Sequence, residues 1–122
     1  MLKKGTIKKV ARVSANNPMV GTWEQERSSR KRTTVVYTIS IKQSKFVVSA
    51  NDDAWGGRFK ISRVKWDGSS LSFTSFYPRS QHTANVMFRV RSKRKLNCNV
   101  SGTYFDGESF SSMQVWTRKR GS

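Results

Sequence analysis

Apolar and polar residues alternate with a period of two along most of the chain. In the clearest case, the segment 83–91, the residues Ala84, Val86, Phe88 and Val90 alternate with Asn, Met and Arg. A period of two places every second side chain on the same face of a β-strand. The pattern therefore predicts strands that bury one face and expose the other.

Turn signals divide these alternating runs into eight predicted strands. Asp67-Gly68 and Asp106-Gly107 are typical of tight hairpins, and Gln43-Ser44 and Ser92-Lys93 mark two further turns. The predicted strands cover residues 19–27, 33–42, 45–51, 58–66, 70–77, 83–91, 95–104 and 109–119.

The predicted strand 58–66 changes parity along its length. Its apolar residues occupy odd-numbered positions up to Ile61 and even-numbered positions from Val64 onward. One extra residue in the strand would restore a single buried face, so the pattern predicts a β-bulge near Ser62-Arg63.

Short, evenly spaced strands predict an all-β protein, an eight-stranded antiparallel up-and-down barrel whose closure removes exposed sheet edges. A two-sheet sandwich fits the same list of strands. Residues 1–17 are basic and poor in aromatic residues, which predicts a flexible N-terminal tail. The predicted barrel domain spans residues 18–120.

Two short motifs carry a family resemblance. The first predicted strand contains Gly21-Thr22-Trp23, and the last contains Trp116-Thr117-Arg118. Together they resemble the calycin group, which comprises the lipocalins and their avidin-like relatives. The resemblance implies that Arg118 packs on Trp23 at the closed end of the barrel and that a pocket opens at the other end. The strings 64–68 and 75–78 also resemble small lipocalin-like bacterial domains of unassigned function.

The charge of the chain indicates the class of partner. Lys and Arg number 24 against 7 Asp and Glu, a formal charge of +17 on 122 residues. Self-repulsion of this size favours a bound polyanion; nucleic acid is the commonest, and an anionic membrane surface is the second. No apolar run approaches the roughly 20 residues of a membrane helix. Without an apolar signal segment and with Cys98 as the single cysteine, a cytoplasmic location is expected.

An up-and-down barrel sends alternate loops to opposite ends, so the charged residues can be sorted by end. One end receives basic residues from the tail, from alternate turns and from the carboxyl terminus. The residues predicted there to bind nucleic acid through its phosphates are Lys3, Lys4, Lys8, Lys9, Arg12, Lys42, Lys45, Arg91, Lys93, Arg94, Lys95, Lys119 and Arg120.

The opposite end combines aromatic and basic side chains. The residues predicted there to bind a small anionic or aromatic ligand are Trp55, Arg58, Tyr77, Arg79, His82 and Phe105. An eight-stranded barrel is just wide enough either to hold one small ligand or to be filled by its own side chains. The sequence leaves both alternatives open.

Catalytic chemistry finds little support in the sequence. His82 is the only histidine, and one cysteine excludes a four-cysteine zinc site, so neither a metal nor another cofactor is predicted. Asp52 and Asp53 are adjacent and would point to opposite faces of a strand. The sequence favours a non-enzymatic binding protein whose partner is nucleic acid, with a small ligand or an acidic protein as the alternatives.

Overall fold

The computed structural model describes residues 16–25, 35–52, 57–104 and 106–119. Within these ranges the regular structure consists of nine β-strands and no helix. The strands are β1 (Gly21–Gln25), β2 (Val35–Lys42), β3 (Lys45–Asp52), β4 (Gly57–Arg58), β5 (Lys60–Trp66), β6 (Ser70–Tyr77), β7 (His82–Ser92), β8 (Lys95–Thr103) and β9 (Ser109–Arg118).

All nine strands belong to one antiparallel sheet in the order β4-β3-β2-β1-β9-β8-β7-β6-β5. The first strand joins the last, with Trp23 opposite Arg118. β3 and β5 lie near the two ends of this order and nevertheless contact each other. The rings of Phe46 on β3 and Trp66 on β5 have centroids 5.1 Å apart. The sheet is therefore rolled into a nearly closed antiparallel barrel.

The count of nine strands differs from the expected eight because the predicted strand 58–66 is divided. β4 pairs with β3, and the backbone N–H of Phe59 donates to the carbonyl oxygen of Ala50 at 3.0 Å. β5 then pairs with β6. The chain thus changes its pairing partner at Phe59, and one run of alternation contains two strands.

The bulge predicted near Ser62-Arg63 is confirmed. The ladder between β5 and β6 shifts its register between Ser62 and Lys65, and Arg63 has a φ of 55°. A bulge adds one residue to a strand and reverses the parity of the residues that follow it. Ile61 and Trp66, on opposite sides of the shift, therefore both pack against the core.

Aromatic rings fill the core around Tyr37. Its ring centroid lies 5.4 Å from that of Phe73, 5.5 Å from that of Phe88 and 4.9 Å from that of Trp116. Tilted and edge-to-face contacts at these distances add to the free energy gained from burial. The inward faces of four strands, β2, β6, β7 and β9, thus meet around Tyr37, which explains why apolar residues recur at every second position.

Residues 17–20 cover the end of the barrel at which β1 begins. Met19 and Trp23 are each 0% exposed, and the Trp23 indole N–H donates to the Met19 carbonyl oxygen at 3.0 Å. Gly21 has a φ of 151°, and a Cβ atom there would collide with Arg118 Nη1. Glycine is therefore required at this position both by its backbone conformation and by the close approach of Arg118.

Candidate functional site

Basic side chains gather at the covered end of the barrel, hereafter the basic end. The Arg118 N–H donates to the Arg94 carbonyl oxygen at 2.9 Å, and Arg118 Nε donates to that of Lys93 at 3.2 Å. The turn between β7 and β8 therefore lies against the end of β9. The Lys42–Lys45 pair flanks the turn between β2 and β3. The predicted phosphate-binding residues described at this end are Lys42, Lys45, Arg91, Lys93, Arg94, Lys95 and Lys119.

The remaining cations of that prediction are outside the part of the chain that the structure describes. They are Lys3, Lys4, Lys8, Lys9, Arg12 and Arg120. The described portion of the basic end nevertheless combines three separate stretches of sequence, 42–45, 91–95 and 119, because antiparallel pairing returns alternate turns to the same end.

Asp67 is an acidic residue in a turn at the basic end, between β5 and β6. Its carboxylate accepts hydrogen bonds from the backbone N–H groups of Ser69 at 2.9 Å and Ser70 at 2.7 Å, and from the Ser70 hydroxyl at 3.0 Å. These bonds favour the ionised form and lower the pKa of Asp67 to about 2. The carboxylate is therefore engaged in forming the turn.

Arg118 has a structural role within the same end. Its Nη1 donates to the Val20 carbonyl oxygen at 2.7 Å, and its Nη2 donates to that of Pro18 at 2.9 Å. Partial burial lowers the pKa of Arg118, and the positive charge of Arg94 lowers it further. The guanidinium therefore fastens residues 18–20 to the last strand.

The half of the barrel away from the basic end contains a cavity of about 410 Å³, hereafter the interior cavity. Tyr37 and Trp116 line it from the side of the aromatic cluster, and Phe59, His82 and Phe110 line it elsewhere. The barrel is therefore filled by side chains in one half and hollow in the other.

The interior cavity is lined by apolar and polar side chains, none of which is charged in the described part of the chain. Among the described residues that line it there is no Lys, Arg, Asp or Glu. The Ser75 hydroxyl is buried and has no hydrogen-bond partner. Burial raises the pKa of Tyr37 well above its ordinary value. Gln114 donates to the Ser112 hydroxyl at 3.1 Å and accepts from the Trp116 indole at 2.9 Å.

A second cavity of about 570 Å³ lies at the outer edge of this hollow half, hereafter the mouth cavity. Arg79, Asp106, His82 and Tyr104 line it, and the last two also line the interior cavity. The rings of His82 and Tyr104 have centroids 5.8 Å apart. The two cavities are therefore adjacent, with an uncharged inner part and a charged outer part.

The predicted ligand-binding residues occupy three different settings. Arg79 and His82 line the mouth cavity. Tyr77 is buried, stacks on Phe59 with ring centroids 4.5 Å apart, and donates to Asp52 at 3.5 Å. Its ring also contacts that of His82 at 6.1 Å, so it supports the mouth from below.

The other predicted ligand residues do not join that group in the described structure. Arg58 is exposed on β4 opposite Asn51 and is not among the residues lining either cavity. Trp55 and Phe105 lie outside the described residues.

Sequence analysis did not identify the polar residues that line the interior cavity. The backbone neighbour Ser111 also lines this cavity, and the polar residues on the inward faces of the strands are Gln25, Ser75, Ser112 and Gln114. Parity along the strands could have found them, since Ser112 and Gln114 share the face of Trp116, and Ser75 shares the face of Phe73. A polar residue on the buried face of a strand is the signal that was available.

The described ranges contain no cluster of three or more side chains suited to hold a metal ion. They also contain no helix long and apolar enough to cross a membrane. Comparisons of this chain with protein families, with curated proteins and with solved structures found no match.

Proposed function

We propose that this protein is a non-enzymatic module that binds nucleic acid through its basic end. The observation that carries the proposal is the convergence of the turns at 42–45 and 91–95 with Lys119 on one end of the folded barrel. Cations held on a folded scaffold lose less conformational entropy on binding a row of phosphates than cations on a flexible chain do. Such contacts carry little sequence information, so we expect binding to be largely sequence-independent.

Salt dependence and charge reversal test this proposal. If about 6–10 phosphates are contacted, the affinity for DNA or RNA should fall by about 10³–10⁵ between 50 and 200 mM salt. The double variant Lys93→Glu/Arg94→Glu should weaken binding to all sequences alike. The matched control is Arg58→Glu/Lys60→Glu, which makes the same change in net charge away from the basic end.

Fluorescence anisotropy with labelled random-sequence DNA and RNA is the measurement. A smaller loss in the control than in the basic-end variant supports the proposed surface. Equal losses in both variants would mean that net charge alone drives binding. Absence of any complex at low salt would refute nucleic-acid binding.

A second candidate function is the binding of one small ligand in the hollow half of the barrel. The observation that favours it is the unpartnered Ser75 hydroxyl, which is 3% exposed and lines the interior cavity. A buried hydroxyl without a partner costs free energy that a ligand acceptor or donor could recover. The uncharged interior favours a ligand with a flat apolar part, and the positive charge of Arg79 at the mouth favours an acidic group on the same ligand.

Tryptophan fluorescence tests this second function, because Trp116 lines the interior cavity. Planar aromatic carboxylates should change the emission of the wild type, and Ala84→Trp should abolish that change by filling the cavity. Phe76→Trp, on the outer face of the neighbouring strand, is the matched control. A ligand response that survives Ala84→Trp would exclude the interior cavity as the binding site.

We also infer that the barrel is of the calycin type. The support is the contact between Trp23 on the first strand and Arg118 on the last, together with the close approach of Gly21 to that arginine. An experimental structure in which the remaining residues complete an eight-strand calycin order would establish the assignment. A different strand order would refute it.

A further inference from the structure

A trough of about 790 Å³ runs across the outside of the barrel over β5 to β9, hereafter the outer trough. Its floor lies over four residues that pair in register and face the interior, Phe73, Val86, Val100 and Ser112. The two walls are the outward side chains on either side of this row. Since the walls are two residues apart along each strand, the outer trough is about 7 Å wide between their Cα rows.

The walls differ in chemistry. One wall contains side chains that pair across five strands: Lys65, Ser72, Met87, Asn99 and Met113. The other wall consists of short hydrogen-bonding side chains: Thr74, Asn85, Ser101 and Ser111. Thr74 donates to Asn85 Oδ1 at 3.1 Å, which directs the amide Nδ2 of Asn85 away as a donor for another group.

The β-bulge places positive charge at the β5 end of the outer trough. The bulge adds one residue to β5, and Arg63 within it has a left-handed backbone conformation with a φ of 55°. The four residues 62–65 are all exposed. Arg63 and Lys65 consequently both line the trough. Bulges commonly redirect a side chain toward a binding site, and here the bulge brings a second cation to one position on the sheet.

The sheet beneath the outer trough carries no negative side chain. None of the residues of β5, β6, β7, β8 and β9 is Asp or Glu. Met113 is the most exposed large apolar side chain of the described residues at 84%, and it stands on the same wall of the outer trough as Met87. Thioethers make favourable contacts with aromatic rings, so Met87 and Met113 offer a contact surface to flat apolar groups.

We propose that the outer trough binds an unpaired stretch of nucleic acid. The phosphates contact Arg63, Lys65 and the donor wall, and the bases lie against Met87 and Met113. This inference rests on the proposed nucleic-acid binding and adds a selectivity for single strands. Hydroxyl and amide donors are common phosphate ligands beside Lys and Arg, and bases offer π-faces to the thioethers whatever their sequence.

The dimensions favour a single strand over a duplex. Five strands span about 19 Å, which matches the shorter site sizes of single-strand binding folds, about four nucleotides. A duplex, whose major groove alone is about 12 Å wide, is too broad to enter a trough about 7 Å wide. A second copy of this chain is disfavoured as the occupant because two molecules of charge +17 repel each other.

Anisotropy titrations of the full chain test the proposal. The probes are unpaired oligonucleotides of about 4, 8 and 12 nucleotides, the lower range of known site sizes, and a duplex of about 12 base pairs. Met113→Ala should weaken single-strand binding about 2- to 10-fold and leave duplex binding unchanged. Lys65→Ala should reduce the salt slope for single strands by about 1. Lys60→Ala is the matched control, because this exposed lysine is on the same strand outside the trough.

Oxidation by peroxide gives a readout that does not depend on net charge. A bound oligonucleotide should slow the conversion of Met113 and Met87 to sulfoxides, measured by mass spectrometry at saturation. The fully buried Met19 serves as the internal reference, since it is protected with or without nucleic acid.

The outcomes separate the two proposals. Single-strand preference that is lost in Met113→Ala, with protection of Met113 on binding, supports the outer trough. Nucleic-acid binding that is lost with Lys93→Glu/Arg94→Glu but unaffected by Met113→Ala and Lys65→Ala overturns the outer trough and leaves the basic end. No binding to any nucleic acid overturns both. Binding only of an acidic peptide of matched length, and not of oligonucleotides, also overturns the proposal.

Discussion

The guanidinium carbon of Arg118 lies 4.5 Å from the ring centroid of Trp23, and the two residues are directly opposite each other on β1 and β9. The same guanidinium donates to the carbonyl oxygens of Val20 and Pro18. Arg118 thus joins the first and last strands through a cation–π contact with the Trp23 indole. Its hydrogen bonds to residues 18–20 also hold that segment over the indole. This pairing both closes the sheet between its chain termini and seals one end of the core.

The contact between these two residues should stabilise the fold measurably. Trp23→Ala should lower the free energy of unfolding by about 3–5 kcal/mol, as for other large buried aromatic residues. In a double-mutant cycle of Trp23→Leu and Arg118→Ala, followed by urea unfolding, we expect a coupling of about 0.5–2 kcal/mol. Arg118→Lys should recover only part of the loss, since an ammonium lacks the planar fork. Additive effects of the two substitutions would contradict a direct interaction.

A glycine in the turn between β2 and β3 should stabilise the folded protein. Gln43 and Ser44 have φ values of 54° and 63°, which places two residues with side chains in the left-handed region. Ser44→Gly should raise the free energy of unfolding by about 1 kcal/mol by relieving that strain. The melting temperature should rise by about 3–6 °C in a thermal scan.

Ser49→Gly is the matched control for the turn. Ser49 is exposed within β3, and its φ is not positive. The substitution there should lower the free energy of unfolding by about 0.5–1 kcal/mol. A destabilising effect of Ser44→Gly as well would show that the turn does not hold the left-handed conformation in solution.

Asp67 should make the stability of the turn depend on acid pH. Its pKa is lowered from 3.8 to about 2 in the folded protein by hydrogen bonds from Ser69 and Ser70. The stabilising contribution is therefore complete above pH 3.8 and is lost as the pH falls toward about 2. Urea midpoints of the wild type and of Asp67→Asn should differ by a constant amount from pH 7 to pH 4, and the difference should shrink below that. A difference that stays constant down to pH 2 would contradict the lowered pKa.

Cys98 should be unreactive in the native protein. It is 3% exposed, and burial raises the pKa of its thiol to about 12, with a partial offset from Trp116. The thiolate is the reactive form, so modification by a disulfide reagent at pH 8 should require unfolding. Asn99→Cys, the next residue on the outward face, should react rapidly in the same assay. Rapid native-state modification of Cys98 would show that the barrel opens at β8.

The local features of the barrel were largely accessible from the sequence. The turns at Asp67-Gly68 and Gln43-Ser44, the bulge at Ser62-Arg63 and the buried faces of β6, β7 and β8 follow from residue type and parity. The Trp23–Arg118 contact was implied by resemblance, and the structure contains it. These features depend on residues that are close in the chain or on short motifs, so the residue types alone are enough to predict them.

Three features near the candidate sites could not be read in this way. Phe59 ends one pairing and Lys60 begins another, although both lie in a single alternating run. Ser75 and Gln114 face the interior, yet a sequence does not show whether an inward polar residue meets a partner or a cavity. The position of Arg58 in the chain does not show which way its side chain faces, and in the structure it is exposed on β4 opposite Asn51.

Sequence alone determined the strand content, the turns and the excess of positive charge, because each depends on local pattern or composition. Tertiary structure decided which half of the barrel is filled, where the charges converge and which side chains form the outer trough. These features arise from register between strands that are distant in sequence, such as Asn99 opposite Met113 and Met87 opposite Asn99. A shift of one residue in any of these ladders would exchange the inner and outer faces, and periodicity within a single strand does not specify that register.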